Sequence, residues 1–290
     1  MPFSNNKRID DFRARIGFDR LAPVAKRVLA LAWPETVTLP SLSGQAWKQT
    51  SVRFSSRSTF ADSQKTWELH FGADPTNCRM LKIQVFAYSS PKRAREGFLR
   101  LASSTTMSVI PYDRSKHLLG ELAIEGHFPE QPSVIWIRQN VVVDIQEHTV
   151  NSSAPPAPVF ELAAQLDALM SKHEVDADSA PIPKPEVTVS TDQVKVGEKI
   201  IIRLKSELPA SPQPGLALEV MERGSGFAST EAERKAYQQL GPLVSAAQED
   251  SRTYAVKAFG PGTTAVDVVV IDPTTLLCSR KRFPIVITPK

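Results

Sequence analysis

The stretch VIWIRQNVVVDIQEH, Val134 to His148, decides how the first half of the chain is read. Apolar residues run up to Arg138-Gln139-Asn140 and resume directly after it. As one strand, Ile135, Ile137, Gln139, Val141, Val143 and Ile145 share a face, over about twice the usual strand length. As a hairpin turning at Gln139-Asn140, Trp136 faces Val143 and Val134 faces Ile145, which makes a compact apolar patch. The hairpin is the favoured reading. In it Asn140 takes the positive φ that a two-residue turn needs, and its side chain has no further role. Gln139→Asn with Asn140→Gly is then expected to be neutral or stabilising, whereas in a continuous strand the pair lowers the melting temperature.

Working outward, strand-like stretches cover 49–55, 66–71 and 80–88. In MLKIQVFAY, Leu81, Ile83 and Val85 alternate with Lys82 and Gln84, the period of a half-buried strand. Ser90 offers an N-cap and Pro91 a first helical position, ahead of Ala94, Phe98 and Leu101 on one helix face. Further strands fit 107–111 and 118–124, and a closing helix fits 158–172, with Phe160, Ala163, Leu166 and Met170 at helical spacing. Upstream, Leu21, Val24, Ala25, Val28, Leu29 and Ala32 also recur at helical spacing, so an amphipathic helix is expected over 18–33, after a loose arm at 5–15. The order of strand, helix beginning SPKRAREGF, then LLGELAIEG, VIWIRQNVVVDI and a closing helix resembles small bacterial α+β domains of unassigned function, over 80–172. In those domains the turn has the form apolar-Arg-Gly-Asn-apolar, and Gln139 stands here in place of the glycine. The resemblance implies no catalytic residues.

DADSAPIPKPE (176–186) carries prolines and small residues without apolar periodicity, and reads as a semi-extended linker. Beyond it, EVTVSTDQVKVGEKIIIRLKSEL reads as strand, turn at Val196-Gly197-Glu198, strand. RTYAVKAFGPGTTAVDVVVID reads as two strands about Gly260-Pro261-Gly262, and RFPIVITP as a last strand. This half, 185–290, resembles bacterial immunoglobulin-like sandwiches. Thr230-x-x-Glu233 is a capping box opening EAERKAYQQL, which Gly241-Pro242 stops, so a helical insertion is expected across 225–247. The expected class is α+β: an antiparallel sheet with flanking helices over 1–175, a linker at 176–186, and an immunoglobulin-like β-sandwich over 187–290.

With 290 residues, a charge of +4 and 7% aromatics, the chain lacks the basic surplus and stacking platforms of a nucleic-acid binder. No run approaches the ~20 apolar residues of a membrane helix. The polar start MPFSNNKRIDDF shows no signal peptide, so a cytoplasmic location is expected, or an extracytoplasmic one if the N-terminus has been processed. Cys78 and Cys278 are expected to be separate thiols. His70, His117, His127, His148 and His173 have no metal-ligand spacing, and no phosphate-cradling glycine loop occurs, so neither metal nor cofactor is expected.

Three functional readings follow. The leading one is a non-enzymatic binding or scaffold protein whose partner is another protein, with the contact at Gly224, Ser225, Gly226, Phe227 and Tyr237 of the insertion. A hydrolase or transferase assembled only by the fold would draw on His70, Cys78 and His127, with Glu121, Glu125, Asp144 and Glu147 read as ordinary strand-edge and loop acids. Binding of an anionic polymer or membrane surface would use Lys92, Arg93, Arg95 and Arg100, or Arg280-Lys281-Arg282.

Overall fold

The alternation of MLKIQVFAY and the turn after Arg138 belong to one seven-stranded antiparallel sheet. The computed structural model describes residues 6–38, 47–56, 61–71, 78–104, 109–113, 118–126, 131–150, 157–183, 186–205, 217–222, 243–250 and 252–290. The chain divides into two units, Met1–Pro181 with Thr274–Leu277, and Ile182–Pro273 with Cys278–Lys290. Strand predominates in what is described, together with three α-helices among the described residues.

In the first unit the elements run α1 (Asn6–Ile16), β1 (Arg27–Leu29), β2 (Trp47–Ser55), β3 (Ser63–Phe71), β4 (Cys78–Ala87), α2 (Pro91–Ser104), β5 (Val109–Pro111), β6 (Leu122–Gly126), β7 (Ser133–Arg138), β8 (Val141–Val150), α3 (Val159–Ser171) and β9 (Glu174–Asp176). The large sheet has the order β2-β3-β4-β8-β7-β6-β5, so β8 is its central strand. Each residue step flips the side chain to the other face. Leu81, Ile83, Val85, Trp136, Val143 and Ile145 therefore share a face, which α3 covers with Leu162, Ala163, Leu166 and Met170. On the opposite face Phe86, Val142, Ile135, Ile137 and Ile124 pack under Ala94, Phe98 and Leu101 of α2. The α2 cap forms as its sequence suggests, with the Arg93 N–H donating to Ser90 Oγ at 3.3 Å.

The hairpin is as the favoured reading has it: Trp136 pairs with Val143 and Val134 with Ile145. The turn chemistry is different. Gln139, not Asn140, takes the positive φ, at 53°. Asn140 is buried, its Oδ1 accepts the Leu29 N–H at 2.7 Å, and its Nδ2 donates to Tyr88 O at 3.2 Å. It ties β1 and the end of β4 to the hairpin. Asn140→Gly would leave a buried N–H unpaired, so the melting temperature of the Gln139→Asn/Asn140→Gly variant should fall by the equivalent of about 1–3 kcal/mol, although the hairpin is real. An unchanged melt would show that these two hydrogen bonds contribute nothing net.

Two expectations upstream are corrected. Residues 18–33 are not a helix but a 3-10 turn at Phe18–Arg20, extended chain, and β1, which pairs with β9. Pro23 interrupts the run: it has no N–H to donate and disfavours helical geometry at Ala22. The 5–15 arm, conversely, contains α1. Phe12 packs against the α2 core, Ile16 is buried in it, and Gly17 ends the helix at a φ of 78°. Leu118–Glu121 precede the strand expected there rather than forming part of it.

The second unit contains β10 (Glu186–Val189), β11 (Gln193–Lys195), β12 (Lys199–Lys205), β13 (Ala217–Glu222), β14 (Val244–Asp250), β15 (Thr253–Ala258), β16 (Gly262–Ile271) and β17 (Cys278–Thr288). They form two four-stranded sheets, β10-β12-β15-β14 and β11-β17-β16-β13. Ile200, Ile202 and Val256 of one and Val266, Val268, Val270 and Ile285 of the other share a core, an arrangement compatible with a β-sandwich. The stretch read as one strand before Val196 is two, β10 and β11, one in each sheet. The expected insertion is shortened at its end, because Val244–Ala247 already belong to β14.

Candidate functional site

Half of one sheet face in the first unit is polar. On the face that α2 covers at its other end, cross-strand rows run Arg53, Thr66, Gln84, Asp144, then Ser51, Glu68, Lys82, Gln146, then Lys48, His70, Met80, His148. A sheet face turned to water is also polar, but its side chains are exposed. Here Thr66 and Asp144 are buried, and Gln84, Lys82, Glu68, Gln146 and His148 are half-buried. A cleft of about 220 Å³ opens among Arg53, Gln64, Thr66, Glu68, Lys82 and Gln84.

Some of this polarity is spent internally. Glu68 Oε2 accepts from Ser51 Oγ at 3.0 Å and from Arg53 Nη2 at 3.1 Å, and Gln64 Nε2 donates to Thr66 Oγ1 at 2.9 Å. Gln146 Nε2 donates to Asp144 Oδ2 at 2.7 Å, but Asp144 Oδ1 is buried without a partner. Among the described residues no side-chain hydrogen bond engages Lys82, Gln84 or His148. Burial pushes the Asp144 carboxyl up to about 7, against the lowering pull of Gln146 and Lys82. Burial likewise holds His148 below its ordinary value, and Lys82 adds to that. This half-face therefore holds unspent donors beside a buried carboxyl that burial pushes up to about 7.

A second polar cluster spends most of its hydrogen bonds internally, although Gln139 Oε1 is buried without a partner. At the hairpin end, Asp167 of α3 accepts from Trp136 Nε1 at 2.9 Å, Arg138 Nε at 2.7 Å, Arg138 Nη2 at 2.6 Å and the Gly120 N–H at 3.0 Å. Glu174 accepts from Arg138 Nη1 at 2.5 Å and Gln139 Nε2 at 3.0 Å, and Glu121 from the Gln139 N–H at 2.9 Å. Gly120 sits at a φ of 45°, and a Cβ there would lie 2.1 Å from Ile137 O. The guanidinium of Arg138 is held in its charged form first by the hydrogen bond to Asp167. With the Asp167, Arg138 and Glu174 bonds made within the protein, this cluster positions β7, α3 and β9.

Gly224, Ser225, Gly226, Phe227 and Tyr237 lie outside the described residues, as do His117 and His127. Of the proposed catalytic set, His70 is in register with Met80, and Met80 with His148, so His70 and His148 stand two strands apart on the polar half-face. Cys78 is on the same strand as Met80, at the end of β4. Cys278 is a buried thiol that forms no disulfide. Asp144, taken from sequence as an ordinary acid near a strand edge, is instead buried in the central strand. Glu147 is also buried, paired with Arg79 and accepting the Ala157 N–H at 2.7 Å.

The basic clusters are largely engaged. Arg93 pairs with Asp62 at 3.1 Å and Arg95 with Glu121 at 2.6 Å. Arg280 and Arg282 both clasp Asp267, at 2.5 and 2.9 Å. No group of His, Cys, Asp and Glu suited to a metal ion occurs among the described residues. No helix among them is long and apolar enough to cross a membrane.

No protein-family model matches the chain, and no curated protein matches it. Among solved structures, the chain is similar to a SusE-like surface-located polysaccharide-binding protein from the heparin utilisation locus of Bacteroides thetaiotaomicron. The two are 11% identical, the alignment covers 88% of this chain and 38% of that one, and the TM-score is 0.21. A likeness at that score carries no argument about fold or function.

Proposed function

We propose that this is a non-enzymatic binding protein that engages another protein through the polar half of its seven-stranded sheet. The observation behind this reading is the adjoining cross-strand pairs of half-buried Gln84 with buried Asp144 and half-buried Lys82 with half-buried Gln146, where the Lys82 and Gln84 side-chain donors and Asp144 Oδ1 are left unspent on a central part of the sheet. Unspent polar groups in a concave site favour a partner that supplies the missing bonds, because burial without them is costly. The second unit is proposed to be an immunoglobulin-like sandwich acting as a scaffold. Its two sheets, the Val196-Gly197-Glu198 turn and the turn ending at Gly262 support that assignment. The insertion contact at Gly224, Ser225, Gly226, Phe227 and Tyr237 is proposed as a separate surface.

Two variants separate these surfaces. Lys82→Ser/Gln84→Ser removes the unspent donors, and deletion of 225–242 removes the insertion while sparing β14. The reading predicts that the first variant loses its co-purifying partner by roughly tenfold or more, with circular dichroism unchanged. Loss on deletion alone would move the contact to the insertion and overturn the sheet-face assignment. The hydrolase or transferase reading has one observation in its favour, the buried Asp144 carboxyl, pushed up to about 7 next to the cleft-lining Gln84. It would gain ground over binding if purified protein turned over an ester or glycoside substrate and Asp144→Asn abolished that turnover.

A further inference from the structure

On the opposite, apolar face of the same sheet, a cavity of about 130 Å³ lies between the 31–38 segment, the sheet and α3. Leu31, Trp33 and Val37 form one side, Trp67 and Ile83 the floor, and Leu166 and Leu169 the α3 side. The segment above it is pinned by side chains from the sheet. Lys65 Nζ donates to Trp33 O at 3.1 Å and to Glu35 Oε1 at 2.6 Å, and Trp67 Nε1 donates to Pro34 O at 3.0 Å. Gln49 donates to Glu35 O at 2.7 Å and accepts from the Val37 N–H at 2.9 Å. These bonds fix the height of the segment, so it is not free to settle into the space beneath it.

The two indoles that line the cavity differ in one respect. Their rings are 6.2 Å apart and tilted by 49°. The Trp67 N–H is satisfied, whereas Trp33, only 4% exposed, has a buried Nε1 without a partner. Buried indole N–H groups nearly always find an acceptor, and the unpartnered one here belongs to a residue that lines this space. A cavity of similar size in another protein stays dry and takes benzene.

We propose that this cavity binds a small uncharged ring compound bearing one carbonyl oxygen. The ring fills the space between the indoles, and the oxygen accepts the Trp33 Nε1–H. A charged ligand is disfavoured by the lining, since the nearby Lys65 already has Glu35 as its counter-charge.

Cyclohexanone and methylenecyclohexane have nearly the same shape and differ in the acceptor, so the pair isolates the hydrogen bond. In titrations followed by indole N–H resonances, both should bind the full-length protein, the ketone roughly threefold to tenfold more tightly. Only the ketone should move the Trp33 N–H signal downfield. Trp33→Phe should remove the preference while keeping hydrocarbon binding, and Leu169→Trp, which fills the space, should abolish both. If Trp33→Phe fails to fold, the resonance shift and the Leu169→Trp result still decide. Equal affinities with an unmoved Trp33 signal, or no binding of either compound at millimolar concentration, would overturn the proposal.

Discussion

Asp167→Ala is expected to cost about 3–5 kcal/mol of folding stability, as for other buried pairs stripped of one partner. Asp167 is 3% exposed and receives four hydrogen bonds, from Trp136, Gly120 and twice from Arg138. Removing the carboxylate leaves an indole N–H and a backbone N–H without partners, and it leaves Arg138 with Glu174 as its remaining acid. Asp167→Asn keeps the size and one acceptor oxygen but no charge, and should fall between the two. Urea unfolding of the three proteins checks this order. A loss under 1 kcal/mol for the alanine variant would mean that the cluster is dispensable to the hairpin and α3.

The second large effect is a pH dependence. The Asp144 carboxyl is raised from 3.8 to about 7 by burial. The native state therefore holds a proton that the unfolded state has released throughout that window, and native stability falls as pH rises through it. The penalty is absent below pH ~4 and complete above pH ~7, where it amounts to roughly 4 kcal/mol for a shift of this size. Asp144→Asn should match the wild type near pH 4 and exceed it progressively toward pH 8. His148 acts in the opposite sense: its lowered value makes the native state bind fewer protons than the unfolded one, so its contribution improves as pH rises. The difference between wild type and Asp144→Asn at each pH removes that background. Parallel melting profiles across pH 4–8 would show that Asp144 ionises freely in the folded protein.

What the sequence made legible was local. The alternation of Leu81, Ile83 and Val85, the Ser90 cap and the spacing of α3 each depend on neighbours a few residues away, and each element forms. The misread segments depend on distant partners. β1 is three residues long and pairs with β9, more than a hundred residues later, so its helical spacing of apolar residues had nothing local to contradict it except Pro23. Asn140 looked like a turn residue because its acceptor role toward Leu29 spans 111 positions. Asp144 looked ordinary for a related reason. Alternation put it on the polar side of β8, but only the strand order places β8 at the centre of the sheet, where a polar side chain becomes a buried one.

The central claim is that the polar half-face around Gln84 and Asp144 is where the protein meets its partner. Site-specific photocross-linking in the native cell tests it most directly, with the photoreactive residue at Gln84 and a control at Leu118, which is 74% exposed and away from the face. The account predicts one dominant protein adduct from position 84, weakened when Lys82 is changed to Ser, and none from position 118. Absence of an adduct at 84, or the same adducts from both positions, would contradict it.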